Sequence, residues 1–207
     1  MEKPGAAGAR NGPGEKSPGC VFGLSVPGEA QRLEDRVQAP PQITMKDAQR
    51  AWNEWGCNCG PVAIAAALGK SLDEVRPHMG DFESKRYTNP TLMWATLRSL
   101  GVYFSFSGGH LGTECWPSFG LARIQWEGPW TKPNVPARAR YRHTHWVGVN
   151  GRDRRNIGIF DVNALGNGSG WCHVADWKSV IVPWILKECV PKADGKWHIT
   201  HAVEIDQ

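Results

Sequence analysis

The stretch Cys59-Gly60-Pro61-Val62-Ala63-Ile64-Ala65-Ala66-Ala67-Leu68-Gly69 decides how this chain is read. It predicts a short apolar helix with a thiol at its mouth and Gly69 as its stop. A helix N-terminus carries unpaired N–H groups and about half a positive charge, which favours thiolate over thiol. The same N–H groups stand where a carbonyl oxygen attacked by that sulfur becomes negative. Cys59 is therefore the candidate nucleophile. Its chemical partners must come from far downstream, from His143-Thr144-His145-Trp146-Val147-Gly148-Val149-Asn150-Gly151 and Ile159-Phe160-Asp161.

Working outward from Cys59, Thr44 is expected to cap an earlier helix with Met45, Ala48 and Trp52 on one side. After Gly69, Ser71 and Glu74 have the spacing of a capping box ahead of Val75. Asn89-Pro90 opens a further helix through Leu92, Met93, Leu97 and Leu100, which Gly101 ends. Alternation at 102–106 predicts a strand, followed by a Gly- and Trp-rich stretch without a period up to about residue 119. Strands are expected at 121–126, 145–150, 156–161 and 198–205, with a helix over 176–186 before the last. Helices precede an antiparallel sheet, which is an α+β plan.

The 207 residues suit one domain, predicted over 42–207. Residues 1–41 are rich in Gly, Pro and Ala with few large apolar side chains, and read as a disordered tail. A net charge of +4 is spread along the chain, and the basic stretches 138–142 and 152–155 read as solvated loops, so nucleic-acid binding gains no support. No apolar run suits a membrane span or a secretory signal, and a cytoplasmic location follows as the expectation. Six cysteines without dense, regular spacing read as reduced thiols. The eleven tryptophans show no fixed period, which argues against a repeat architecture and suits core and cleft walls.

Gly151-Arg152-Asp153-Arg154-Arg155 reads as a hairpin tip between two apolar strands. With Asn150 paired to Asn156, antiparallel counting puts His145 opposite Asp161, Cβ atoms about 5 Å apart. A slip by one residue would break that pairing. The carboxylate would fix the imidazole tautomer, and the other ring nitrogen would share the sulfur's proton. His145 is thus the candidate base and acid, and Asp161 its orienter. His143 points to the same face and stays open as an alternative base. Two donors are needed for the oxyanion: the Cys59 N–H is one, and the side-chain amide of Asn53, six residues earlier, is the candidate for the other.

On Asn58-Cys59-Gly60-Pro61, on Gly69-Lys70-Ser71-Leu72-Asp73-Glu74-Val75, and on His145-Trp146-Val147-Gly148-Val149 with Asp161 sixteen residues later, the chain resembles the papain-like cysteine peptidases. Within them it is most similar to the bacteriocin-processing C39 group, over roughly 49–205. The family's usual Gln six residues before the nucleophile is Asn53 here, and Val162 stands where Pro often follows the Asp. The resemblance implies a papain-like fold and hydrolysis of a peptide or amide bond in a peptide or protein substrate. It implies a thioester intermediate and neither metal nor other cofactor.

Competing readings use the same residues. Cys57-Asn58-Cys59 with His143-Thr144-His145 could supply a zinc set, although structural sites usually separate paired cysteines by two to four residues. Cys57 could be a resolving thiol or a structural one. Gly166-Asn167-Gly168-Ser169-Gly170 lacks the Lys of a phosphate loop and could be a mobile rim over the cleft. A catalytically inactive papain-like module that binds a protein, or an acyltransferase with the same triad, fits the sequence as well. Substrate identity and oligomeric state are not encoded in any motif.

Overall fold

The computed structural model describes residues 43–206. The tail expected over 1–41 lies outside the described residues. Helix α1 (Met45–Trp55) starts in the capping box of Thr44 and Asp47, and Gly56 ends it with a left-handed φ of 67°. Helix α2 (Cys59–Leu68) follows after three residues and is closed by Gly69. Residues 60–67 are all buried, so this helix runs through the core rather than along it. Fully burying side chains such as Val62 and Ile64 contributes about 1.5–3 kcal/mol each. The Ser71–Glu74 capping box opens α3 (Leu72–Val75), which passes into a 3-10 turn. Then come α4 (Phe82–Lys85) and α5 (Pro90–Ser99), the latter capped by Asn89.

A six-stranded antiparallel sheet completes the α+β architecture. Its strands are β1 (Phe104–Gly108), β2 (Phe119–Trp126), β3 (Thr144–Asn150), β4 (Gly158–Phe160), β5 (Trp171–His173) and β6 (Trp197–Ile205). They lie in the order β1-β6-β2-β3-β4-β5. A short helix, α6 (Ala137–Arg140), overlaps the basic stretch 138–142 expected to be loop. Leu121, Trp146 and Val203 face the helices, whereas Ala122, Ile124, Val147, Val149 and Ile199 face the opposite side. That second face is covered by α7 (Val174–Asp176), a π turn (Trp177–Ile181) and α8 (Val182–Glu188). Pro183 has no N–H to give the helical ladder, and the π turn lies directly ahead of it.

Several expectations need correction. The first strand is displaced from 102–106 to Phe104–Gly108, because Leu97 and Arg98 carbonyls accept the N–H groups of Val102 and Gly101 and hold them as the end of α5. Strand β5, with only three residues, carries too short a pattern to announce itself. Asn150 pairs with Gly158, not with Asn156, so the β3–β4 register is slipped by two residues. Asp161 therefore lies one residue beyond β4.

Candidate active site

A cleft of about 1530 Å³ opens between the helical part and the end of the sheet, lined by Asn53, Cys57, Cys59, Arg123 and His145 among others. It forms where the β3–β4 ladder stops at Gly148–Phe160. Beyond that pair no strand among the described residues pairs with β3 on its β4 side, and the start of α2 lies there. The Trp146 N–H, free of the ladder there, bonds to the Cys59 sulfur.

Thr88 locks the two elements together. Its carbonyl accepts from Trp146 Nε1 at 2.7 Å, and a Cβ on Gly60 would stand 2.1 Å from its Oγ1. Only glycine lets α2 start this close to the segment before α5.

His145 Nε2 lies 2.9 Å from Asp161 Oδ1. With Nε2 so engaged, Nδ1 is the ring nitrogen left for Cys59, with which the imidazole is also hydrogen-bonded. Asp161 is fully buried. Its Oδ1 also accepts from the backbone N–H and side-chain amide of Asn163, both at 2.9 Å, and its Oδ2 from Trp177 Nε1 at 2.8 Å. Every lone pair in use faces a donor, which is what a buried carboxylate requires.

The slip of two residues preserves the side of the sheet on which the partners meet, since side chains alternate with period two. Asp161 is then brought into reach by capping the 3-10 turn Val162–Asn167 and by giving its N–H to Gly170 O at 2.9 Å. The last residue of the glycine-rich segment, Gly170, thus holds Asp161 from behind, and among the described residues none of 166–170 lines the cleft. A Cβ on Gly170, whose φ is 80°, would meet the Phe160 ring at 2.7 Å.

Charges in this chain reinforce one another. Burial alone would keep His145 neutral, but the Asp161 charge and hydrogen bond, followed by contact with Cys59, raise it to about 10. Burial works against ionisation of Asp161 too, and the His145 charge, with the Trp177 and Asn163 donors, brings its carboxyl below the usual range. Cys59 lies well below an ordinary thiol. The Cys57 hydrogen bond is the largest cause, burial opposes it, and His145 and the Trp146 N–H add to the lowering. Thiolate and imidazolium are the stable pair at neutral pH.

Cys57 is neither remote nor merely packed. Its S–H donates to Cys59, which with burial raises its own pKa, and its sulfur accepts the N–H groups of Cys59 and Gly60. It takes the capping place that Asn58 leaves, because the Asn58 amide donates to Ala48 O at 3.2 Å instead. The Cys59 N–H assigned to the oxyanion is therefore turned to the Cys57 sulfur, a weak acceptor that a carbonyl oxygen can displace. Asn53 is exposed on the last turn of α1 and lines the same cleft. Gln49 Nε2 donates to its Oδ1 at 2.9 Å, leaving the amide nitrogen as a donor.

His143 is not brought to the sulfur. Its ring packs on Trp130 at 4.1 Å between centroids, and burial, then Arg142, keep it below an ordinary histidine. The zinc set of Cys57, Cys59, His143 and His145 does not converge. Among the described residues, the group whose ligand atoms come within 4.8 Å of one another is His110, Glu127 and His198, with His198 Nδ1 at 2.8 Å from Glu127 Oε1. Those residues could hold a divalent ion of the zinc type, outside the set that lines the cleft.

Sequence reasoning missed Trp177, Asn163, the hydrogen-bonding role of Cys57, and Arg123. A signal existed for Arg123, the lone charge in 121–126 of a strand that is buried throughout. No protein-family model matches this chain, and no curated protein matches it.

Proposed function

We propose that the protein is a papain-like cysteine hydrolase that cleaves a peptide or amide bond through a thioester. The observation that carries this reading is the unbroken chain from Cys59 through His145 to Asp161, with the sulfur at a helix N-terminus. The resemblance to the C39 group supports it. Cys59 sulfur attacks the carbonyl carbon, and the carbonyl electrons move to oxygen, which the Asn53 amide and the Cys59 N–H receive. His145 gives its proton to the departing amine as the C–N bond breaks, leaving an acyl thioester. His145, now neutral, takes a proton from water, hydroxide attacks the thioester, and the acid leaves as Cys59 returns to thiolate. Asp161 keeps the ring in one tautomer throughout. Chemistry that depends on a thiolate suits a reducing compartment, and we place the activity in the cytoplasm.

The test is incubation of wild type, Cys59→Ala and His145→Ala with a peptide library, reading cleaved products by mass spectrometry. Cleavage by wild type that both variants lose supports hydrolysis. Cleavage surviving in Cys59→Ala, or none by wild type, rejects it.

A further inference from the structure

We infer that Arg123 is a carboxylate anchor in the cleft, so that the substrate bears an acidic side chain or a free C-terminal carboxylate beside the bond attacked by Cys59. This rests on the hydrolase reading for the meaning of the cleft but not for the anchor itself.

Arg123 lies in β2 and is 6% exposed. A guanidinium this deep is expected to have an anionic partner, because desolvating a charge costs several kcal/mol. Arg123 has none. The one hydrogen bond of its guanidinium among the described residues runs from Nη2 to Thr144 Oγ1 at 3.1 Å, its Nε has no partner there, and the cation lies 5.4 Å from the Tyr141 ring centroid. Of the cleft's carboxylates, Glu83 pairs with Arg76, and the groups acting on Arg123 are not carboxylates but Tyr141 and the Cys59 thiolate. Arg86 and Arg142 line the same cleft and add positive charge.

The backbone aims this side chain deliberately. The β2–β6 ladder slips by one residue between Arg123 and Ile124, and Thr200 Oγ1 donates to Arg123 O at 3.1 Å across the bulge. Bulges next to active sites redirect side chains. Opposite Arg123, His201 is pulled down to about 4 by burial and then by Arg123, so its ring stays neutral beside the guanidinium. Guanidinium offers a planar fork that matches a carboxylate bidentately. Arg123 pairs across the sheet with Trp146, whose N–H bonds to the Cys59 sulfur, and both Arg123 and Cys59 line the cleft, so the fork lies on the side from which a substrate reaches the sulfur.

The experiment compares alkylation of Cys59 by iodoacetate, which carries a carboxylate, and by neutral iodoacetamide. In each reaction sulfur displaces iodide, and the two reagents share the same reacting carbon. The iodoacetate-to-iodoacetamide rate ratio at Cys59 is expected to exceed that of free cysteine by about tenfold or more. It should fall to the free-cysteine value in Arg123→Gln and be retained in Arg123→Lys. A wild-type ratio no higher than that of cysteine, or one unchanged in Arg123→Gln, overturns the anchor. Protection of wild-type Cys59 from iodoacetamide requires no variant. Acetyl-Gly-Gly protecting better than its amide identifies a terminal carboxylate, acetyl-Asp-amide protecting better than acetyl-Asn-amide identifies a side-chain one, and equal protection within both pairs overturns the anchor. Slow alkylation by both reagents defeats the hydrolase reading instead. In that case the anchor is judged by calorimetric binding of the same four compounds, and equal affinities for acid and amide reject it.

Discussion

His145 and Asp161 meet at 2.9 Å although they are not partners in the sheet: His145 lies in β3, and Asp161 follows the last residue of β4. The carboxylate is aimed by a cap, by Gly170 and by Trp177 rather than by strand pairing. Its strength as an orienter comes from that buried cage. Through His145 it sets the protonation of Cys59, roughly a hundred positions away along the chain.

The first consequence is a pH profile. A free thiol, with a pKa of about 8.5, loses about two orders of magnitude in alkylation rate between pH 8 and pH 6. Cys59, already thiolate well below that value, is expected to lose less than about fivefold with iodoacetamide over the same interval. Cys57→Ala removes the largest cause of the lowering, so the acid limb should move upward and the rate at pH 6 should fall. Site-resolved mass spectrometry measures both. A wild-type profile like that of cysteine contradicts the ion pair.

Asp161→Asn tests the buried pair through stability. The variant keeps the shape but loses the charge and opposes an amide N–H to Trp177 Nε1, a cost of about 3 kcal/mol or more. The sign follows from the two shifts. His145 is raised to about 10, so its contribution is complete below the ordinary value of about 6.5 and is lost as pH rises toward about 10. Asp161 is lowered, so its contribution is complete above about 3.9 and is lost as pH falls below that. The gap in Tm between wild type and variant should be widest between about pH 4 and 6.5 and narrow toward pH 10. A gap that stays constant or grows on the alkaline side rules out this pairing.

Local signals wrote most of the fold. Thr44, Ser71 and Asn89 cap the helices they were expected to cap, and Gly69 ends α2, because caps and stops depend only on neighbours. The register of β3 on β4 was not legible, since it depends on how many residues the tip at 151–157 absorbs. Cys59, His145 and Asp161 could still be chosen together, because a two-residue slip leaves face parity intact. Arg123 and Trp177 were harder to identify. The role of each depends on what packs around it from distant segments, and no local pattern encodes an absent counter-ion or a donor aimed at Asp161.

Gly60→Ala probes the close approach of α2 and Thr88. The added Cβ would lie 2.1 Å from Thr88 Oγ1 and 2.5 Å from Thr88 Cβ, so the helix start must move. Overpacking of this kind costs about 1–3 kcal/mol, even though alanine is the better helix former. Denaturant unfolding should show that loss, and Gly60→Ala/Thr88→Gly should recover part of it. A stabilised Gly60→Ala contradicts the contact.

Asn53 separates thiolate formation from oxyanion binding. It is exposed and bonded to Gln49, its neighbour one turn away, so Asn53→Ala should change stability by no more than about 0.5 kcal/mol. The groups that lower Cys59 are Cys57, His145 and the Trp146 N–H, so alkylation by iodoacetamide should be unaffected by Asn53→Ala. Hydrolysis of a peptide found to be cleaved by wild type should fall by about 10²–10³ in kcat, the cost of one missing donor to a developing oxyanion. Asn53→Gln should restore part of that rate, since its amide can follow the same oxygen from one methylene further. If kcat survives Asn53→Ala, the second donor comes from elsewhere in the cleft, and the Gly60 N–H that now bonds to Cys57 becomes the group to test.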